Sequence, residues 1–266
     1  RRSDLSIRGV TMTVSENCAV ISNKMVSIDG NLITFYSEKI ANSTLPGQFV
    51  EVSCSNGGML LRRPFSVYDK NAKSLSLFVK SVGKGTRWLS GLREGERINI
   101  IGPLGKGFSI DKGSRSLLIG GGCGVASLRL LSKAIVEAGG ECDAIFGFKK
   151  REEIPQTIVE DFSRTAGHLT ITVDSGDYPV RGNVKDRLAE IELDRYGRYY
   201  CCGPTVMLKA LVPLLSSRAT EVSLEARMAC GLGVCYGCTI NTDRGGKRVC
   251  YDGPVFTMRE VDWNDL

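Results

Sequence analysis

Along residues 18–102, apolar and β-branched positions come in short alternating runs, at 18–24, 31–37, 48–54, 74–81 and 97–102. Turn-forming residues separate them at Asp29-Gly30, Pro46-Gly47, Asn56-Gly57-Gly58 and Glu94-Gly95. A period of two puts alternate side chains on one face, and short strands recurring at this interval predict an antiparallel barrel. After Pro103-Leu104-Gly105 and the Lys112-Gly113 turn the rhythm changes. Strand-like runs at 116–122, 142–148, 169–176 and 198–203 now alternate with helical ones at 125–140, 152–167, 184–193 and 205–217. That alternation predicts a doubly wound α/β domain with a parallel sheet. From Glu221 onward the pattern predicts a cysteine-rich loop without regular elements. The expected architecture is therefore β + α/β in three parts: a barrel domain over 1–108 with an N-terminal extension over 1–16, an α/β domain over 109–220, and a small C-terminal domain over 221–266.

Composition limits what such a chain can be. At 266 residues, two domains and an appendage are the natural division. A hydrophobic share of 42% with 24% charged residues is ordinary for a globular protein, and no apolar run reaches the length of a membrane span. The first residues are basic but lead into no long apolar region, so no secretory leader is expected. The net charge of +6 comes from Lys and Arg scattered among acids, without an aromatic-interleaved basic stripe. It reads as a solvated surface, suited at most to a phosphate-bearing cofactor, and not as a nucleic-acid footprint. Ten cysteines in a chain of this kind point to reduced thiols and metal ligation in the cytoplasm, in preference to a disulfide framework.

Four of those cysteines, Cys230, Cys235, Cys238 and Cys250, are spaced C-x4-C-x2-C-x11-C. The leading spacing suits a [2Fe-2S] cluster, whose two irons need two thiolates each. Gly231, Gly233 and Gly237 fall between the ligands, where a wrapping loop needs positive φ and close approach of its N–H groups. A structural zinc site with four thiolates, or simple burial of unpaired cysteines, is the rival reading. A Rieske centre is excluded, because it needs two histidines and His168 is the only one. His168 itself reads as a surface residue in a helix-to-strand connection.

Two further segments carry candidate chemistry. Gly120, Gly121, Gly122, Cys123 and Gly124 follow the first parallel strand and open a helix, a setting that lets the backbone approach a pyrophosphate; a bare tight turn is the alternative. Tyr200-Cys201-Cys202-Gly203-Pro204 ends the fourth strand, where ligands bind in open α/β sheets, or else is merely a small-residue strand end. In the barrel, Arg63-Pro64-Phe65-Ser66 sets a guanidinium and a hydroxyl close together, suited to a diphosphate and a flavin ring. As an edge-strand device the same proline and charges would serve only protection. Gly83-Lys84-Gly85-Thr86, ahead of a predicted short helix at 87–92, is a second phosphate cradle.

The order Arg63-Pro64-Phe65-Ser66, Gly85-Thr86, the glycine turn at 120–124 and the Cys201-Cys202-Gly203-Pro204 strand end resembles the ferredoxin-NADP reductase superfamily. With the cysteine motif added, the chain is similar over roughly 18–256 to the electron-transfer subunits of bacterial NAD-linked dihydroorotate dehydrogenases. The resemblance implies FAD on Arg63, Pro64, Phe65, Ser66, Phe78, Val79, Lys80, Gly85 and Thr86. It implies a nicotinamide dinucleotide, NADH or NADPH, on Gly120, Gly121, Gly122, Gly124, Cys202 and Gly203, and a [2Fe-2S] cluster on the four cysteines. NADH is the expected donor, although Lys149, Lys150 and Arg151 follow the second strand where basic side chains suit a 2′-phosphate. The implied partner is an FMN-bearing catalytic subunit in a heterotetramer. No catalytic acid or base is demanded, since the cofactors carry the chemistry. Cys123 and Ser127 depart from the family's usual aliphatic residue and proline. They keep open a cluster-bearing sensor or scaffold without nicotinamide turnover, beside an oxidoreductase subunit serving ferredoxin, sulfide or another flavoenzyme.

Overall fold

The computed structural model describes residues 12–54 and 59–266. The Asn56-Gly57-Gly58 turn and most of the expected N-terminal extension lie outside the described residues. The first strand, β1 (Val14–Ser27), pairs with β2 (Gly30–Tyr36), which a short helix, α1 (Glu38–Ser43), follows. Next come β3 (Phe49–Val52), β4 (Arg63–Lys70), β5 (Ser74–Lys80), α2 (Lys84–Ser90) and β6 (Arg97–Leu104). The strands close in the order β1-β2-β5-β4-β3-β6, with β1 and β6 paired from Val14↔Gly102 to Ala19↔Arg97. Alternation turns Val50, Val52, Val67, Leu75, Leu77 and Val79 into the barrel core. The helix α1 was not foreseen; Ser37 caps it by accepting from the Ile40 N–H.

The second domain holds β7 (Arg115–Gly121), α3 (Ala126–Glu137), β8 (Glu141–Phe148), α4 (Gln156–Ser163), β9 (Leu169–Val173), α5 (Val184–Leu188), β10 (Arg198–Cys202) and α6 (Thr205–Leu215). The helix expected from 152 starts only at Gln156, because Pro155 lacks an N–H and holds Ile154 extended. The helix expected over 184–193 stops at Leu188, and Ile191 and Leu193 pack against the core from the following loop.

Regular structure does not end at Glu221. A further strand, β11 (Thr220–Ser223), joins β10 in parallel across the expected division between domains. The C-terminal lobe adds a hairpin, β12 (Thr239–Thr242) with β13 (Gly245–Arg248), and returns β14 (Val255–Thr257) to the large sheet antiparallel to β11. The sheet order is β14-β11-β10-β7-β8-β9. The chain reverses its winding between β7 and β10, so their carboxyl ends form the switch-point crevice where α/β sheets bind ligands.

Ion pairs fasten the barrel to this sheet domain on the crevice side. Lys133 meets Asp69 at 2.6 Å and Lys80 meets Glu153 at 2.7 Å, Lys80 also pairing with Asp29 within the barrel at 3.2 Å, and the buried Tyr68 hydroxyl donates to Asp161 at 2.6 Å.

Candidate redox site between barrel, sheet and cysteine loop

The first half of β4 pairs only with β3, from Phe49↔Ser66 to Val52↔Arg63, whereas its second half pairs with β5 at Val67↔Leu77, Asp69↔Ser76 and Lys70↔Leu75. Beyond Val67 and Leu77 the two strands splay. Phe78, Val79 and Lys80 then bond only to β2, opposite Leu32, Asn31 and Gly30. Residues 63–66 and 78–80 thus face one another across a split in the barrel wall with one main-chain edge of each unpaired. These are the positions singled out for FAD. Val79 itself turns its side chain into the barrel core, so only its main chain faces the split. Arg63 donates to the carbonyls of Leu61 and Arg62 at 2.7 and 3.1 Å, and its Nε lies beside Gly85. The Thr86 hydroxyl is engaged within its own loop, accepting from the Val82 and Gly83 N–H groups. Gly85 and Thr86 sit inside α2, which starts at Lys84 and not after them as expected.

A crevice of about 260 Å³ continues from this split. Sites that enclose a whole drug-sized ligand measure roughly 300–1,000 Å³, so this one takes a ring system and not an entire dinucleotide. Pro64, Phe65, Ser66, Phe78, Lys80 and Thr86 line it from the barrel, and Cys123, Ala126 and Cys202 from the sheet domain. The C-terminal lobe supplies Ser223, Glu225 and Met228.

The glycine turn and the fourth strand end meet here. A Cβ on Gly124 would stand 2.5 Å from the Cys202 carbonyl oxygen and 2.6 Å from the Gly203 nitrogen. Only a residue without a side chain lets the turn lie on β10. Gly120, Gly121 and Gly203 are likewise closed in by protein atoms, while Gly122, at φ +53°, faces open space. Most of this motif therefore serves strand–turn packing, and Gly122 is the position open to a ligand. Alternation separates the two thiols of the strand: Cys201 joins one core and Cys202 the other, beside the crevice. Ser127, one of the departures, is buried and donates to the Gly124 carbonyl at 2.9 Å, bracing the turn from the first turn of α3. Cys123, the other, places its sulfur 4.0 Å from Glu225 Oε1. Desolvation in the crevice, followed by the Glu225 charge, pushes its thiol up to about 11, although the residue itself is exposed. The basic residues 149–151 lie at the far end of β8, where Lys150 and Arg151 share a cavity with Asp29, Glu152, Glu153 and Asp177. His168 lies exposed at the opposite end of the sheet from the crevice, lining a separate cavity with Arg115 and Asp143.

The four cysteines come together as two pairs. Cys230 lies beside Cys235, and Cys238 beside Cys250. Among the described residues no three His, Cys, Asp or Glu side chains converge on one metal-ion position. A single tetrahedral zinc needs all four thiolates around one point. Two pairs in one loop suit two irons, each with two thiolates. Main-chain N–H groups point at the sulfurs: Leu232 at Cys230 (3.4 Å), Gly233 at Cys250 (3.2 Å) and Cys250 at Cys238 (3.4 Å). Burial raises the Cys230 thiol, but the N–H groups of Leu232, Cys235 and Val234 outweigh it and hold the thiol down at about 6. Gly231 and Gly233 have the expected positive φ, at +66° and +79°. Gly237 does not: the third left-handed residue is Tyr236, at φ +59°.

Several residues of the site had no sequence signal. Arg248 donates to the Gly233 carbonyl at 2.7 Å, pairs with Asp252 at 3.1 Å and lies between the rings of Tyr236 and Tyr251 at 4.9 and 4.5 Å. It thereby braces the loop that carries the cysteines. Glu51, on the outer face of β3, lies under Gly231; burial, against the opposing pull of Arg62, pushes its carboxyl up to about 7. Glu225, exposed at the rim, lies within 4.0 Å of the Cys123 sulfur. Isolated arginines and glutamates acquire such roles only through contacts distant in sequence.

Comparison with known proteins agrees with this geometry. Residues 17–108 match the oxidoreductase FAD-binding domain, and residues 225–262 match the iron-sulfur cluster binding domain of dihydroorotate dehydrogenase B. The electron transfer subunit of dihydroorotate dehydrogenase B (NAD(+)) from Bacillus velezensis is 38% identical over 233 residues, covering 84% of this chain and 90% of that protein. Its counterpart from Fusobacterium nucleatum is 33% identical over 258 residues, covering 93% and 98%. Among solved structures, an NADH-dependent reduced ferredoxin-NADP oxidoreductase superposes with a TM-score of 0.84 at 30% identity, covering 93% of this chain and 90% of that one. An Amycolatopsis cytochrome P450 reductase shares the fold, with a TM-score of 0.68 at 22% identity, covering 80% of this chain and 72% of that one. The split barrel, the switch-point crevice and the paired cysteines, taken with these identities, make the chain a member of the dihydroorotate dehydrogenase B (NAD(+)) electron transfer subunit family.

Proposed function

We propose that the chain carries electrons from NADH, through FAD and a [2Fe-2S] cluster, to the FMN-bearing catalytic subunit of a dihydroorotate dehydrogenase, within a heterotetramer in the cytoplasm. The observation that carries this reading is the convergence of three lobes on one crevice: the splayed β4–β5 edges, the β7–β10 switch point, and the C-terminal lobe with its cysteine pairs. Among the described residues no helix is long and apolar enough to cross a membrane.

The residues present fit both groups. Arg63, Pro64, Phe65 and Ser66, the main chain of Phe78, Val79 and Lys80, and Gly85 with Thr86 would hold FAD. Cys230 with Cys235, and Cys238 with Cys250, would hold the cluster. The dinucleotide would lie on the turn at 120–124, with its nicotinamide beside Cys202 and Gly203. When bound, the flavin would accept one hydride with its electron pair, and the cluster would conduct single electrons. The chain supplies position and exclusion of water. Phe65, Phe78 and Ala126 wall the crevice with apolar surface, and the Ser66 hydroxyl offers a hydrogen bond to a flavin heteroatom. Cys202 is buried and pushed up to about 12, mainly by burial, so it acts as a small neutral contact and not a nucleophile.

Metal and flavin analysis of the purified protein tests the reading. It should give about two irons and one FAD per chain. Zinc in place of iron would remove the redox role from the cysteine lobe.

A further inference from the structure

Tyr68 belongs to the barrel strand β4, yet its side chain packs in the apolar core of the sheet domain, with Leu128 and Leu131 of α3 and Ile158 and Phe162 of α4. The cause is a bulge. Val67 pairs with Leu77 but Asp69 with Ser76, so β4 carries one extra residue at Tyr68, which is re-aimed out of the barrel while Val67 stays in its core. The Tyr68 ring is buried, and its hydroxyl donates to Asp161 Oδ2 at 2.6 Å. The main-chain carbonyl of Asp161 accepts from Arg129 at 2.9 Å, and the same guanidinium donates to Thr165 Oγ1 at 3.0 Å and lies over the Phe162 ring. Arg129, on α3, is only 6% exposed, and its Nε stands 3.9 Å from Asp69 Oδ2. Asp69 Oδ1 takes the Lys133 ammonium at 2.6 Å. One polar network thus locks β4 to α3 and α4. Replacing buried ion pairs by apolar residues of similar volume is often neutral or stabilising, so stability does not account for it; directional bonds select one arrangement of the two domains.

We propose that Tyr68, Asp69 and Arg129 are positioning residues for hydride transfer: they set the spacing between the flavin surface on β4 and the nucleotide turn that leads into α3. The proposal rests on the function proposed above. Pro64, Phe65 and Ser66 line the crevice from β4 shortly before Tyr68, and Ala126 lines it from the helical turn that also holds Arg129. The three positioning residues do not line the crevice themselves, so they act through the strand and the helix that do. Reacting atoms must come within roughly 3–3.5 Å, and a misplacement of about 1 Å caused by a distant change lowers a rate about 100-fold.

Stopped-flow reduction of the purified holoprotein by NADH tests this with two variants of wild-type FAD and iron content. Tyr68→Phe removes only the hydroxyl, and Asp69→Asn removes the charge and keeps the shape. In each, the limiting rate of flavin reduction at saturating NADH should fall about tenfold or more, while the NADH dissociation constant stays within about twofold of wild type. Two readouts do not depend on turnover. The long-wavelength charge-transfer absorption formed when NAD+ is added to the reduced flavin should weaken in both variants, and hydrogen–deuterium exchange of the α4 main chain should quicken in Tyr68→Phe. A limiting rate within about twofold of wild type, a loss confined to NADH affinity, an undiminished charge-transfer band or unchanged exchange in α4 overturns the proposal and leaves the proposed function standing. Asp69, whose side chain is 25% exposed, decides by its rate and charge-transfer band if Tyr68→Phe does not fold. A wild-type flavin that NADH does not reduce overturns the proposed function itself.

Discussion

Cys235→Ser should abolish the iron-sulfur absorption and the EPR signal of the reduced protein, while FAD should remain bound and reducible by NADH. Cys235 is the exposed member of the first thiol pair, and its loss leaves one iron with a single thiolate in a loop whose second pair is intact. Cys18, Cys54, Cys142, Cys201 and Cys202 are buried in the domain cores, and Cys123 belongs to the crevice and not to the cysteine loop, so none is placed to replace it. The proposed flavin site is built on β4, β5 and α2, and Cys235 does not line the crevice there. Electron delivery to the catalytic subunit, or to a one-electron acceptor, should fall roughly 100-fold, equivalent to about 2.7 kcal/mol in the barrier. The rate of flavin bleaching by NADH in a stopped-flow mixer should change by less than about twofold. Loss of flavin reduction in a correctly folded variant would show that the cluster precedes the flavin.

Gly124→Ala has the opposite signature. The added methyl would stand 2.5 Å from the Cys202 carbonyl oxygen and 2.6 Å from both the Cys202 carbonyl carbon and the Gly203 nitrogen, all main-chain atoms of a central strand end. Neither side can yield by rotating a side chain. The turn must lift off β10, at an overpacking cost of about 1–3 kcal/mol, and the surfaces proposed for the pyrophosphate and the nicotinamide separate. Flavin and iron content should match wild type, because neither the barrel split nor the cysteine loop touches this contact. The rate of flavin reduction by NADH should fall by roughly 10- to 100-fold, the effect of a misplacement of about 1 Å at a reacting centre. Unchanged reduction kinetics would show that NADH does not use the junction of β7 and β10.

The sequence reads well where chemistry or punctuation is local. The cysteine spacing needs no fold to be recognised, and the strand-and-turn rhythm of 18–102 and the strand–helix rhythm of 116–217 correspond to the barrel and the sheet domain. Short elements held by long-range pairing were not legible. Thr220–Ser223 and Val255–Thr257 are four and three residues long, too short to show a period, and are strands only because β10 and β11 offer free edges. The glycine turn was legible as a site but for an incomplete reason. Gly124 is required by the approach of Cys202 and Gly203 as much as by any ligand. Tyr236 takes the positive φ expected of Gly237, because Arg248 stacks on its ring and fixes the loop around it. Glu51 and Glu225 stand in no motif, and only packing reveals them or the bracing contacts of Arg248, two residues before Cys250.

The central claim is an order of electron flow: NADH to flavin, then flavin to cluster. Anaerobic stopped-flow mixing of the holoprotein with one equivalent of NADH, followed in both the flavin and the iron-sulfur absorption bands, tests it most directly. The flavin band should bleach first, at a rate that rises with NADH concentration, and the cluster band should follow at a rate independent of it. Cluster reduction ahead of the flavin, or undiminished in protein stripped of FAD, would contradict it.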